Sequence, residues 1–131
     1  MRLLVLDGSR VLVALVHRLA PPGVEVECAD SIEQAFKILM LYPPDALIVN
    51  VSPARIGWNR LQGLCHEHAP PIPTLYESCV YHSPREAGIH DLDPWSAFLA
   101  KPYHAEDLKL QIDRLVEAVA QLNPPKPQTH H

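Results

Sequence analysis

At 131 residues, 47% of them hydrophobic and 20% charged, the chain suits a single domain with a sizeable core, which excludes a disordered segment. No uncharged apolar run approaches the roughly 18 residues that a membrane-crossing helix requires. The net charge of −4, with 11 basic residues scattered among 15 acidic ones, leaves no basic stripe for a nucleic-acid partner.

The chain opens directly on strand-like sequence and reaches an acid at Asp7, unlike a secretory leader, so a cytoplasmic location is expected. Cys28, Cys65 and Cys79 are odd in number and widely spaced, which suits reduced thiols packed in a core more than a disulfide framework.

Leu3-Leu4-Val5-Leu6 is a first strand running into Asp7-Gly8-Ser9. Ser9 then caps a helix with Leu12, Leu15, Val16 and Leu19 at helical spacing, and Pro21-Pro22-Gly23 stops it. Val24, Val26 and Cys28 alternate with Glu25 and Glu27, a pattern with one wet face that predicts a strand at a sheet edge. Ser31 and Gln34 form a capping-box pair ahead of a helix carrying Ile32, Ala35, Phe36, Leu39 and Met40, which Pro43-Pro44 ends.

The stretch Pro44-Asp45-Ala46-Leu47-Ile48-Val49-Asn50-Val51-Ser52-Pro53 follows, and its uncharged, largely β-branched centre predicts a strand buried on both faces with Asn50 at its carboxyl end. Residues 56–68 read as a helix with Leu61, Leu64, Cys65 and His68 on one side, interrupted by Gly57 and Gly63. Ile72 to Tyr76 is the fourth strand candidate despite Pro73, which has no N–H for a ladder. The region from Glu77 to Pro94 holds at most one short helix, over Pro84 to Ile89. Ser96 to Ala100 is the fifth strand, running into Lys101-Pro102, and Glu106 to Leu122 is a long helix with Leu108, Ile112, Leu115, Val119 and Leu122 on one stripe. Residues 1–122 are thus the domain. Residues 123–131, with Pro124-Pro125-Lys126-Pro127 and the closing His130-His131, read as a proline-rich tail, either a linker or a tag remnant.

Strands alternating with helices over short connections predict an α/β fold: a flavodoxin-like, doubly wound, five-stranded parallel sheet of order 2-1-3-4-5 with helices on both faces. Ligand and reaction sites in such sheets lie at the carboxyl ends of the strands, at the switch point between strands one and three. Asp7, Asn50 and Lys101 are each the polar residue at such an end and are expected to meet in one crevice. Cys65 and His68 share a helix face, but two ligands fall short of a zinc set, and His82, His90 and His104 have no partner at ligand spacing.

Three blocks, Val5-Leu6-Asp7-Gly8-Ser9-Arg10, Asp45-Ala46-Leu47-Ile48-Val49-Asn50-Val51 and Phe98-Leu99-Ala100-Lys101-Pro102-Tyr103, resemble in order and spacing those of the CheY-like receiver domains of two-component response regulators. The resemblance spans about residues 2–122. In that family strand one ends in a pair of acids, strand three in the aspartate that is phosphorylated, strand four in Thr or Ser, and strand five in an aromatic-x-x-Lys-Pro. Asp7 matches the first acid. Gly8 replaces the second, which in the family helps hold Mg²⁺, and Asn50 replaces the phosphoacceptor. The Thr/Ser position falls on Tyr76 or Ser78. Phe98 matches the switch aromatic, for which one fixed rotamer is expected, and the family's Lys-Pro bond is typically cis.

Phosphoryl transfer to a receiver needs a carboxylate nucleophile and a divalent metal to neutralise the incoming charge. An amide offers neither charge nor nucleophilicity, so the departures imply a degenerate phosphoacceptor pocket of Asp7, Gly8, Asn50, Tyr76, Ser78, Lys101 and Pro102. Asp7 and Lys101 are expected to balance each other there, with no catalytic residue, no metal and no cofactor, Mg²⁺ included. The resulting expectation is a non-enzymatic, phosphorylation-independent pseudo-receiver that acts as a protein interaction module in two-component phosphorelay signalling. Its partners would be proteins, such as a histidine kinase, an output domain or a second copy in a homodimer, with no nucleic acid or membrane. Tyr81, Trp95 and Tyr103 are candidate anchors of that surface. Two alternatives stand beside it: a conventional phospho-receiver whose acceptor was changed to Asn, and a flavodoxin-like domain binding a small ligand in the crevice. A plainer role for Asn50 is to cap the strand end, and for Asp7 to serve as a structural ion pair.

Overall fold

Every strand is parallel to its neighbours, and its side chains alternate between two helix-covered faces. The computed structural model describes residues 1–90 and 92–123, so the proline-rich tail from Pro124 onward lies outside the described residues. The elements run β1 (Arg2–Leu6), α1 (Arg10–Leu19), β2 (Glu25–Ala29), α2 (Ile32–Leu41), β3 (Ala46–Asn50), α3 (Trp58–Glu67), β4 (Thr74–Ser78), β5 (Ala97–Ala100) and α4 (Ala105–Leu122). The sheet order is β2-β1-β3-β4-β5, as the strand pattern predicts. Among the described residues, no helix is long and apolar enough to cross a membrane.

The pleat sorts the core in two. Leu4, Leu6, Leu47, Val49 and Tyr76 face α2 and α3, where they meet Ala35, Leu39, Leu61 and Cys65. Leu3, Val5, Ala46, Ile48 and Leu75 face α1 and α4, against Leu12, Val16, Leu108, Ile112 and Leu115. Burial on both faces explains why β1 and β3 read as unbroken apolar runs. Edge strand β2 exposes Glu25, but the expected alternation does not hold along it, since Val26 and Glu27 are both half-buried and Cys28 is exposed.

Local chemistry sets the helix starts. The Ser9 Oγ accepts from the Leu12 N–H at 3.3 Å, and the Ser31 Oγ accepts from the Gln34 N–H at 3.1 Å. Gln34 reaches one residue further back than a strict capping box, accepting from the Asp30 N–H at 2.7 Å. α3 has no side-chain cap. Its N-cap is Gly57, whose φ of 94° favours glycine.

Three sequence expectations are corrected. The fourth strand lies two residues later than Ile72–Tyr76, because Pro73 precedes it and contributes only its carbonyl, which accepts from the Leu47 N–H at 3.0 Å. No helix forms over Pro84–Ile89. That stretch is a set of turns closed by Ile89 N–H to Pro84 O at 2.8 Å and by Gly88 at φ 87°, so four helices cover the sheet. Tyr81, Ala87, Ile89 and Leu92 of this connection pack on the α2–α3 face in its place. Of the cysteines, only Cys65 is in the core; Cys28, on the edge strand, and Cys79, just past β4, are exposed free thiols.

Leu75 is fully buried in β4 and packs toward α4. Leu75→Ala is expected to lower unfolding free energy by about 2–5 kcal/mol in urea titrations. Met40→Ala, at a position 80% exposed, is expected to change it by less than about 0.5 kcal/mol.

Candidate functional site

The parity of each strand decides which polar residue enters the crevice. Asp7 continues the Leu3–Val5 face past β1, Asn50 the Ala46–Ile48 face of β3, Glu77 the Leu75 face of β4, and Lys101 follows Ala97 and Leu99 past β5. All four therefore project on the α1–α4 side at the carboxyl end of the sheet, and the register sets Asn50 opposite Glu77. The expected meeting of Asp7, Asn50 and Lys101 is present, and Glu77 joins it.

Asp7 is the hub. Its Oδ1 accepts from the Ser9 N–H at 2.7 Å, and its Oδ2 accepts from the Asn50 Nδ2 and the Lys101 Nζ, each at 3.4 Å. The Lys101 ammonium also lies 3.5 Å from the Glu77 Oε1, and the Tyr103 hydroxyl donates to the Glu77 Oε2 at 2.6 Å. The Asp7 side chain is 3% exposed, the Glu77 side chain 0% and the Lys101 side chain 25%. The Lys101–Pro102 peptide bond is cis, as in the receivers the sequence resembles.

The expected balance of Asp7 against Lys101 alone is thus corrected: two carboxyl groups share one ammonium. Burial first, then the hydrogen bond with Asp7 and the Asp7 charge, outweigh Tyr103 and Lys101 and push the Glu77 carboxyl up to about 8. For Asp7 burial acts upward. The hydrogen bonds from Glu77 and the Ser9 N–H, the Lys101 charge and the Asn50 amide together overcome it and hold Asp7 below the usual carboxylate range. The two carboxyl groups are thus displaced in opposite directions, Glu77 toward keeping a proton and Asp7 toward losing one.

The other sequence candidates are dispersed. Tyr76 points to the opposite face, edge-on to Trp58 with ring centroids 6.5 Å apart, so it does not fill the crevice. Ser78 ends β4 and is fully buried; its Oγ donates to the Val51 carbonyl at 2.7 Å and accepts from the Val80 and Tyr81 N–H groups at 3.1 and 2.9 Å. Its hydroxyl holds the loop after β4. Gly8 is exposed, and a Cβ there would meet nothing within 4 Å. Its φ is not left-handed, so neither space nor backbone demands glycine at this position.

Phe98 is partly buried on the α2–α3 side, opposite Tyr76 in register. The three candidate anchors do not form one surface. Tyr81 packs on the α2–α3 side, and Tyr103 packs on the other with its hydroxyl in the carboxyl cluster. Trp95 borders an open groove with Gln111 and Arg114 of α4. Cys65 is buried, which pushes its thiol up to about 12, and the His68 Nδ1 lies 2.8 Å from the Pro70 carbonyl. Among the described residues, no three His, Cys, Asp or Glu side chains gather as a metal-ligand set.

No protein-family model matches the chain, and no curated protein sequence matches it. Solved structures do. A two-component transcriptional regulator AraC from Clostridium phytofermentans ISDg is similar with a TM-score of 0.75 at 16% identity over 95% of this chain and 99% of that one. A CheY-like response regulator receiver domain protein from Methanospirillum hungatei JF-1 gives 0.69 at 18% identity, over 93% and 95%. A response regulator receiver protein from Sinorhizobium medicae WSM419 gives 0.71 at 21% identity, over 91% and 96%. At such identities the likeness establishes the fold: a five-stranded, CheY-like version of the flavodoxin architecture.

Because Ser78 satisfies one carbonyl and two N–H groups, Ser78→Ala leaves those groups without their hydroxyl partner. The variant is expected to lose about 1–3 kcal/mol of stability by denaturant titration, and an unchanged value would remove Ser78 from this role.

Proposed function

We propose that the chain is an atypical response-regulator receiver that works as a phosphorylation-independent protein interaction module in two-component signalling. The observation that carries this reading is Asn50. Its amide stands where the resemblance places the phosphoacceptor carboxylate and is already hydrogen-bonded to Asp7. An amide cannot supply the attacking oxygen of phosphoryl transfer, so the reading includes no catalytic step.

The donor set also argues against Mg²⁺. That ion demands near-octahedral oxygen ligands, chiefly one or two carboxylates with waters. Here position 8 has no side chain, position 50 offers a neutral amide, and the Lys101 ammonium lies against the carboxyl oxygens that remain, the Oδ2 of Asp7 and the buried Oε1 of Glu77. The cluster residues do not fit the metal, and the reading assigns it no part. In place of a phosphorylation-driven switch, the domain presents a fixed surface to protein partners, such as a histidine kinase or an output domain. The groove that Trp95 borders with Gln111 and Arg114 is one candidate for that surface.

Incubation with Mg²⁺ and beryllofluoride, followed by two-dimensional NMR, tests the reading. Unchanged amide signals around Asp7, Asn50 and Lys101 are expected. Saturable shifts that spread to Phe98 would overturn it. The double variant Gly8→Asp with Asn50→Asp restores both missing carboxylates where a side chain at position 8 has room. It is expected to gain Mg²⁺-dependent shifts at those positions, and a double variant as indifferent to Mg²⁺ as the parent would show that the two lost acids are not what excludes the metal.

A further inference from the structure

The buried carboxyl of Glu77 poses a problem that its contacts with Tyr103 and Lys101 only partly solve. Its Oε2 receives the Tyr103 hydroxyl, but its Oε1 is fully buried, and among the described residues no N–H or O–H group is within hydrogen-bonding geometry of it. An ionised carboxylate in that position would leave a charged oxygen with only the Lys101 ammonium, 3.5 Å away and shared with a second carboxylate, to compensate it. A proton on Oε1 removes the difficulty at once. The orphaned acceptor becomes a donor to Asp7, and the two carboxyl groups no longer repel.

We propose that Asp7 and Glu77 together bind one proton from solvent at neutral pH, and that this proton, with Lys101, neutralises the crevice and fastens the loop between β5 and α4. The carboxyl–carboxylate pair thereby does by proton binding what a divalent ion does in a site with more acids. This inference does not require the receiver reading: Asp7 and Lys101 belong to that resemblance, but the pairing rests on the geometry they make with Glu77, which the resemblance does not use.

The groups that face Glu77 are few. Asp7 comes from the end of β1, Asn50 from β3, and Lys101 and Tyr103 from the segment after β5. α1 and α4, which cover this face, turn Leu12, Val16, Leu108 and Ile112 toward it. The burial and Asp7 contacts that push the Glu77 carboxyl up to about 8 agree with the geometry, as does the downward displacement of Asp7. Both residues that grip Glu77 from the β5 side, Lys101 and Tyr103, sit in the four-residue connection that ends at His104, the N-cap of α4. Loss of the proton sets two buried carboxylates against each other under that connection. The loop is therefore the part of the molecule that responds.

A carboxyl-detected NMR titration of the full chain from about pH 5 to about pH 10 tests this. The Glu77 carboxyl is expected to titrate with a midpoint near 8, and the amide signals of Lys101, Tyr103 and His104 to move with the same midpoint. In Glu77→Gln the loop shifts disappear. Asp7→Asn, which removes the proton's acceptor and a neighbouring charge, moves the Glu77 midpoint down. Tyr103→Phe, which removes the donor that favours the ionised form, moves it up, and this variant decides the matter should Glu77→Gln fail to fold. A Glu77 midpoint in the ordinary carboxylate range would overturn the proposal. So would loop shifts that persist in Glu77→Gln, or a midpoint indifferent to both Asp7→Asn and Tyr103→Phe.

Discussion

The crevice depends on one arrangement: the Lys101 ammonium lies between two carboxyl groups, both almost wholly removed from water. Transferring charges from water to a protein interior is costly, and one cation cannot compensate two anions there. The molecule meets this with a proton on one carboxyl and hydrogen bonds to the other, from the Ser9 N–H and the Asn50 amide. The result is a crevice that is electrically satisfied without any ligand. A site in that condition has little to gain from a metal or a phosphoryl group, and this is the physical support for the phosphorylation-independent reading proposed above.

Sheet parity is what brings the groups together. A strand alternates its faces with a period of two, so one residue's difference in register would send Glu77 to the α2–α3 side and Tyr76 to the crevice. The register is held by the large apolar residues behind it: Leu75 against α4, and Tyr76 against Trp58. The same alternation turns Ser78 away from Asp7 and leaves its hydroxyl to bind the backbone. Core packing thus decides which polar side chains reach the site.

Much of this was legible in the sequence. The unbroken apolar runs of β1 and β3, the capping serines and the proline stops locate the elements, and the polar residue at each strand end locates Asp7, Asn50 and Lys101. Two things were not legible. Pro73 drew the fourth strand toward its amino end, because the missing N–H is visible in sequence whereas the use of its carbonyl by Leu47 is a tertiary fact. That displacement put Glu77 in a loop. Read as part of the strand, it would have shown the same grammar as Asp7: a lone acid closing an apolar run. The turn-closed connection between β4 and β5 has no periodicity of its own, and its fit to the α2–α3 face through Ile89 and Tyr81 depends on side chains far away in the chain.

Gly8 and Asn50 mark where chemistry, not folding, sets the residue. Position 8 has room and an ordinary backbone, and position 50 is a strand end at which aspartate and asparagine are nearly isosteric. The Lys101 ammonium has Asp7 and Glu77 as its carboxyl partners. The central claim, a crevice neutralised by a retained proton, is tested most directly by unfolding free energy measured against pH for the parent chain and Glu77→Gln. The native state keeps a proton on Glu77 that the unfolded chain loses above 4.5, so the parent is predicted to lose stability relative to the variant as pH rises from there to about 8, and to level off above it. The slope is at most about 1.4 kcal/mol per pH unit. Parallel curves for the two chains, or a parent that gains stability across that window, would contradict the account.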